Sequence, residues 1–230
     1  SSDQISDAIN PKAFYHAPLS KLVSLENTTN KGGGACWNVS DFELINSVCK
    51  KNNLGIHMDG ARIWNSIVAK KDNPELYGIY FDTMSVCLSK GLGCPIGSVL
   101  LGKKKYMDKA LRIRKILGGG MRQAGYLAAA GLFALENNIS RLSEDHFRAK
   151  EIASKFLDKS FVKKINDVET NIIIIELNEV VSKKTITDYF SKNDVVFDWY
   201  SMGPKKIRIV THLDYSEKDH KYLLKIVDKL

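Results

Sequence analysis

Cysteine, histidine, proline and tryptophan are all scarce in this chain of 230 residues, which carries 4 Cys, 5 His, 5 Pro and 3 Trp. Cys36, Cys49, Cys87 and Cys94 show no C-x-x-C spacing, so neither a zinc site nor a redox dithiol is indicated, and no metal site is expected. Free thiols suit a reducing compartment, which makes the cytoplasm the expected location. Long apolar runs are missing as well. The longest, such as 126–135 and 172–175, fall far short of the roughly 20 residues that cross a bilayer, so no membrane role is expected. No internal repeat, low-complexity segment or signal peptide is visible, although a missing N-terminus would remove a signal peptide. The sequons at Asn27, Asn38 and Asn138 are chance occurrences in a cytoplasmic protein.

Acidic residues are outnumbered by basic ones, 26 against 34, for a net charge of +8. The excess is scattered in short runs, Lys103-Lys104-Lys105, Lys163-Lys164, Lys183-Lys184 and Lys205-Lys206. Such runs read as solvated faces. No basic stripe interleaved with aromatics suggests a nucleic-acid partner. Hydrophobic content of 44% and charged content of 26% are ordinary for a globular protein, and the length suffices for a sizeable core.

Hydrophobic patterning predicts strands at 21–26, 56–59, 83–89 and 98–101. Helices at 61–70 and 105–116, and one at 41–52 capped by Ser40 with Glu43 three positions on, alternate with them, which implies a largely parallel sheet. A long helical stretch over 123–159, broken near 137–140, leads to a smaller α+β unit of antiparallel character. Its strands are expected at 172–177, 195–199 and 206–210, and its helices at 183–192 and 217–229. Gly32-Gly33-Gly34, followed by Ala35-Cys36-Trp37, reads as a flexible turn and not as a phosphate cradle.

Two strand ends carry chemistry. Ser85-Val86-Cys87-Leu88-Ser89-Lys90 delivers a lysine into the loop Gly91-Leu92-Gly93-Cys94-Pro95-Ile96-Gly97. A lysine stem held at the end of a buried strand presents its amine as a Schiff-base lysine does, although spacing alone also fits a solvated strand-end lysine. Upstream, His57-Met58-Asp59-Gly60-Ala61-Arg62 places an acid at a second strand end, where open α/β sheets bind ligands. Asp59 there reads as the partner of a cationic ligand atom, such as a pyridinium nitrogen, as half of an ion pair with Arg62, which shares its face if a helix begins there, or as a helix N-cap. His57, two residues before Asp59, shares its strand face.

These segments, with Leu117-Gly118-Gly119-Gly120-Met121-Arg122-Gln123-Ala124-Gly125, Leu142-Ser143-Glu144-Asp145-His146 and Ile207-Arg208-Ile209-Val210-Thr211-His212-Leu213-Asp214, occur in the order of a known family. The chain resembles the low-specificity L-threonine aldolases, β-eliminating lyases that use pyridoxal 5'-phosphate on the aspartate aminotransferase fold, fold type I. Leu25-Glu26-Asn27-Thr28 matches an earlier strand end more loosely. The resemblance implies an α/β large domain over 1–136, incomplete at its N-terminus, followed by a small α+β domain over 137–230.

It also implies roles. Lys90 would be catalytic and bind the cofactor aldehyde, and Asp59 would pair with the pyridinium nitrogen. Arg62 would sit near both the cofactor ring and the substrate carboxylate, and Arg208 would form the main clamp on that carboxylate, a task that suits a planar bidentate donor. Arg122 would reach the cofactor phosphate of a neighbouring subunit, in keeping with a dimer or tetramer of the full-length form. The implied reaction is retro-aldol cleavage of L-threonine or L-allo-threonine to glycine and acetaldehyde. The same lysine would equally serve β-elimination or transamination, and a non-catalytic fragment of the fold is a further alternative. His212 reads as a satisfied strand histidine near Arg208.

Two departures qualify the likeness. The chain begins at Ser1 without methionine, and nothing in it corresponds to the family's upstream glycine-rich phosphate loop or to the aromatic ring stacked on the pyridine, so an N-terminally truncated aldolase is expected. Thr29 stands where many family members place a histidine, which leaves the base for the substrate's β-hydroxyl unassigned.

Overall fold

The computed structural model describes residues 1–179, 181–198 and 201–230. The first sheet is four-stranded, in the order β1 (Leu22–Glu26), β2 (Gly55–Gly60), β3 (Thr83–Cys87), β4 (Ser98–Gly102). The first three strands run parallel, and β4 joins β3 antiparallel as an edge, so the largely parallel sheet acquires one reversed strand. Four helices accompany the parallel strands: α1 (Ser2–Asp7), α2 (Val39–Lys51), α3 (Ile63–Lys70) and α4 (Glu75–Tyr80). Of these, α1 and α4 carry too few turns to leave a periodic signal.

Strand alternation explains how this sheet presents two different faces. Ile56, Met58 and Gly60 of β2 are buried, and with Leu25 and Val86 they pack against Phe42, Ile45 and Cys49 of α2 and Tyr77 of α4. Phe42, Ile45 and Cys49 recur at helical spacing, which is why α2 buries one stripe. His57 and Asp59 fall on the opposite face. The cap of α2 lies two residues before Ser40, where Asn38 N donates to Asp41 Oδ2 at 3.1 Å. Asp41 is the acid three residues after Asn38, so it is Asp41 and not Glu43 that closes the first turn.

After β4 come α5 (Lys104–Ile116) and α6 (Gly125–Asn137), then α7 (Leu142–Leu157), with the helical stretch interrupted near the expected place. The second sheet, β5 (Val162–Ile165), β6 (Ile172–Leu177) and β7 (Lys206–Val210), is antiparallel throughout. Helices α7, α8 (Lys183–Lys192) and α9 (Glu217–Asp228) contribute Ile152, Phe156, Phe190, Leu223 and Val227 to its core with Ile173, Ile175, Ile207 and Ile209. Of the strand expected over 195–199, Trp199 lies outside the described residues, and among the described residues 195–197 form no strand while Asp198 makes an isolated antiparallel bridge to Arg208. The sheet gains β5 instead, whose Lys163 and Lys164 leave it a weak hydrophobic signature.

Specific contacts join the two sheets' surroundings. Thr170 Oγ1 donates to Gly34 O at 2.7 Å, and Asn166 Nδ2 donates to Gly33 O at 2.9 Å. Gly33 and Gly34 have φ of 74° and 78°, and a β-carbon on Gly34 would collide with Thr170. The glycine run is therefore a docked turn and not a flexible one. Asn65 of α3 bonds His146 of α7 at 3.1 Å, and Asn138 Nδ2 donates to Leu92 O at 2.8 Å, which anchors the loop that follows Lys90.

Candidate active site

The carboxyl ends of β1, β2 and β3 lie side by side, with Glu26, Asp59 and Ser85 in register. In parallel strands such partners share a face, so Glu26, Asp59, Ser85 and, two residues on, Cys87 point to the same side. Chain crossings just beyond fix this edge. Asn27 N donates to Asp59 O at 2.9 Å, and Arg62 N donates to Asn27 O at 3.2 Å. The buried Asn27 side chain donates to Ser66 Oγ at 3.0 Å, tying the end of β1 to α3. Gly60 admits this packing because a β-carbon there would strike Ser85 O and Ile63.

Asp59 is exposed, and its carboxylate has no hydrogen bond or ion pair among the described residues. The alternative of an Asp59–Arg62 ion pair is thus not realised. Arg62 is not inside the helix, as expected, but at its N-cap, with φ −139°, so it leaves the helical face that would have aligned it with Asp59. Burial holds the Arg62 guanidinium below its usual range, and the like charge of Arg208 lowers it further, against the opposing pull of Glu26 and Cys87. Arg62 thus lies within electrostatic reach of Arg208 of the second sheet.

Arg208 comes from β7. Its Nη1 donates to Asp198 Oδ2 at 3.2 Å, and its Nε is buried without a partner among the described residues. Asp198 is itself held by Ser201, whose N donates to Asp198 Oδ1 at 3.1 Å. His212 lies beyond the end of β7, exposed, with Nδ1 accepting from Asp214 N at 3.2 Å. It is therefore a loop residue and not a strand histidine. His57 Nδ1 lies 2.8 Å from Thr83 Oγ1, a link between β2 and β3.

Lys90 sits three residues past the end of β3 and is exposed. The strand that presents it is only half covered, with Val86 its one buried position, so the amine is held by a turn and not by a buried strand. Gly93 N donates to Lys90 O at 2.9 Å, and Lys90 Nζ lies 3.1 Å from Cys87 Sγ. Burial pushes the Cys87 thiol up, but hydrogen bonds from Lys90 and Ser89, with the lysine's charge, bring it below its ordinary value. The other flanking thiol behaves differently: burial raises Cys94, which directs its Sγ to Ala130 O at 3.6 Å. All four cysteines are free.

Arg122 stands apart. It is exposed on the connection between α5 and α6 and has no hydrogen bond or ion pair among the described residues. Among the described residues no cluster of three or more His, Cys, Asp or Glu is placed to hold a metal ion, and no helix is long and apolar enough to cross a membrane. Sequence reading assigned no role to Glu26, to the Cys87 sulfur or to Asp198. Glu26 was detectable as the acid that ends β1. The other two depend on a turn and a bridge that patterning does not register.

A family model described as beta-eliminating lyase matches residues 1–180. The chain belongs to the beta-eliminating lyase family. The chain is 36% identical over 216 residues to the low specificity L-threonine aldolase of Escherichia coli K12, covering 94% of this chain and 62% of that protein. A solved Leishmania major threonine aldolase superposes with a TM-score of 0.82 at 18% identity, covering 99% of this chain and 66% of that one. The histidinol-phosphate aminotransferase of Clostridium acetobutylicum gives a TM-score of 0.67 at 16% identity, covering 91% of this chain and 63% of that one. The fold is therefore that of the fold type I enzymes. The chain spans about three fifths of the length of the curated relatives it matches.

Proposed function

We propose that this chain carries the greater part of a pyridoxal 5'-phosphate-dependent carbon–carbon lyase that cleaves L-threonine or L-allo-threonine to glycine and acetaldehyde. The observation that carries the reading is the placement of Asp59, whose carboxylate has no hydrogen bond or ion pair among the described residues, on the sheet face toward which the Lys90 turn folds back. Arg208 keeps a buried Nε without a partner among the described residues and lies within electrostatic reach of Arg62, which suits a substrate carboxylate. Family membership and the names of the relatives point the same way.

The donor set fits the cofactor. Lys90 offers an exposed amine for its aldehyde carbon, and the Asp59 carboxylate, free of any cationic partner among the described residues, suits a protonated ring nitrogen. Bound there, the cofactor supplies an electron sink for the pair released when a bond to an amino acid's α-carbon breaks. Asp59 would hold the ring nitrogen in its protonated form. Arg62 and Arg208 hold the α-carboxylate in two places, which fixes the direction of the Cα–Cβ bond and suppresses its rotation. The Thr29 hydroxyl donates to Ala35 O at 3.4 Å, so removal of the substrate's β-hydroxyl proton falls to another group.

The domain division at residue 137, the cytoplasmic location and the homo-oligomer belong to the same proposal. Two separate sheets on either side of α6 support the division, free thiols support the reducing compartment, and exposed Leu117, Met121 and Tyr126 beside Arg122 support a subunit contact.

Mixing the chain with pyridoxal phosphate tests cofactor binding: a visible absorption band is expected, and Lys90→Ala abolishes it. Supplying threonine to the chain joined to the segment its relatives carry in addition tests the reaction. Glycine and acetaldehyde in equal amounts are expected. Production of 2-oxobutanoate and ammonia would defeat the aldolase reading in favour of elimination, and the absence of any band would leave a non-catalytic polypeptide.

A further inference from the structure

We propose that Cys87 is a positioning residue for Lys90, a role that rests on the function proposed above. The turn after β3 folds back so that Lys90 Nζ lies 3.1 Å from the Cys87 sulfur, with Ser89 Oγ 3.6 Å from the same atom. Main-chain bonds fix this turn on both sides. Leu88 N donates to Gly97 O at 3.0 Å, Cys94 N donates to Leu88 O at 3.1 Å, and Gly93 N donates to Lys90 O at 2.9 Å. The backbone thus sets the point from which the lysine side chain reaches back to the sulfur.

The direction of that approach matters. Alternation along β3 puts Cys87 on the face of Ser85, and Ser85 is in register with Asp59. Docking on Cys87 therefore holds the lysine on the face where the unpaired carboxylate lies. A lysine stem loses many rotamers when it is fixed, and a contact made before the cofactor arrives removes that cost from the binding step.

The charges around the sulfur favour the contact. Lys90 and Ser89 bond to it, and Arg62 from the start of α3 lies within electrostatic reach. The net effect holds the Cys87 thiol below its ordinary value, chiefly through the bonds from Lys90 and Ser89 working against burial. Cys94 makes the comparison within the same loop. It is buried, raised and turned to a backbone carbonyl, which is how a packing cysteine behaves.

Two measurements on the full chain test the proposal. In the first, without cofactor, iodoacetamide alkylation of Cys87 is followed by peptide mass spectrometry across pH. Lys90→Met is expected to slow it at neutral pH by about fivefold, because the sulfur loses the cation that lowers its pKa, and Lys90→Arg to retain most of the rate. An unchanged rate in Lys90→Met overturns the contact.

In the second, pyridoxal phosphate captured on Lys90 is trapped with borohydride and counted by peptide mass in the wild type, Cys87→Ala and Cys87→Ser. Capture is expected to slow by about fivefold in Cys87→Ala and to be partly rescued by serine, which keeps a polar partner at the same place. Equal rates in all three chains overturn the positioning role. Absence of capture even in the wild type defeats the functional reading and the role with it, while the alkylation rates still report whether the contact exists.

Discussion

Strand β6, Ile172–Leu177, has its four isoleucines buried, whereas β4, Ser98–Gly102, is exposed at every position although it carries Val99, Leu100 and Leu101. The difference lies in what surrounds them. β6 runs between β5 and β7 beneath α7, α8 and α9, and the Phe156 and Phe190 rings lie 6.0 Å apart in the core that covers it. β4 is an edge strand, and α5, which follows it, buries no residue at all. Apolar side chains in a strand state that a face can be covered. Whether it is covered depends on elements elsewhere in the chain.

The largest predicted effects follow from this contrast. Phe156→Ala removes a fully buried ring from the second core and is expected to cost about 3–5 kcal/mol in urea denaturation. Leu100→Ala in β4 is expected to change stability by no more than about 0.5 kcal/mol, since its side chain is exposed. Comparable losses in the two variants would mean that β4 is covered in solution, and the contrast would collapse.

The same contrast shows which parts of the molecule were legible in its sequence. Ile172–Leu177, Lys183–Lys192 and Lys206–Val210 follow the expected bounds because each has a strong local pattern and ends where the pattern ends. The reversed β4, short α1 and α4, and charged β5 depend on pairing and packing that leave little local trace. In the candidate site, Lys90 and Asp59 stood out as chemical types at strand ends, Arg62 as a charge close to Asp59, and Arg208 only through the family resemblance. Their relations did not. Arg62 caps α3 instead of sharing a helix face with Asp59, Arg208 meets Asp198 across an isolated bridge, and the Lys90 turn reaches back to Cys87.

Next in size is an effect at the junction of the covered and open regions. His146 of α7 is buried against Asn65 of α3, and burial lowers its pKa from 6.5 to about 4, with the charge of Lys150 adding to the shift. Between those values the unfolded chain binds a proton that the folded chain refuses, so stability rises with pH there and is lost as pH falls from about 6.5 towards 4. The loss at the lower end is expected to be ~3 kcal/mol. Denaturation midpoints measured across this range should lose part of their slope in His146→Gln. An identical slope in the variant would move the titration to another group and free α7 from this constraint.

Smaller again is the glycine turn through which the first sheet's loop docks on the second. Gly34→Ala places a side chain at φ 78° and against Thr170, whose hydroxyl holds Gly34 O. A cost of about 2 kcal/mol is expected from the backbone strain and the displaced hydroxyl together. Gly97→Ala also has positive φ, 118°, but its β-carbon would meet no atom within 4 Å, so it isolates the backbone share. Equal costs for the two would show that the Thr170 contact adds nothing to holding the regions together.

The smallest effect tests whether charge helps to join the regions. Lys70 Nζ of α3 lies 2.9 Å from Glu169 Oε2, with side chains 30% and 32% exposed, and Glu169 Oε1 also accepts from Cys36 N at 3.3 Å. Partial exposure weakens the Coulomb attraction, and ordering both side chains offsets part of what remains. Glu169→Gln keeps an acceptor for Cys36 N while removing the charge, so it separates the ion pair from the hydrogen bond. A loss below about 1 kcal/mol is expected, shrinking further as salt is added. A larger loss that salt does not touch would place the contribution in the Cys36 hydrogen bond, where an uncharged partner serves poorly, and would make the loop 27–36 depend on the second sheet for its shape more than the glycine turn alone requires.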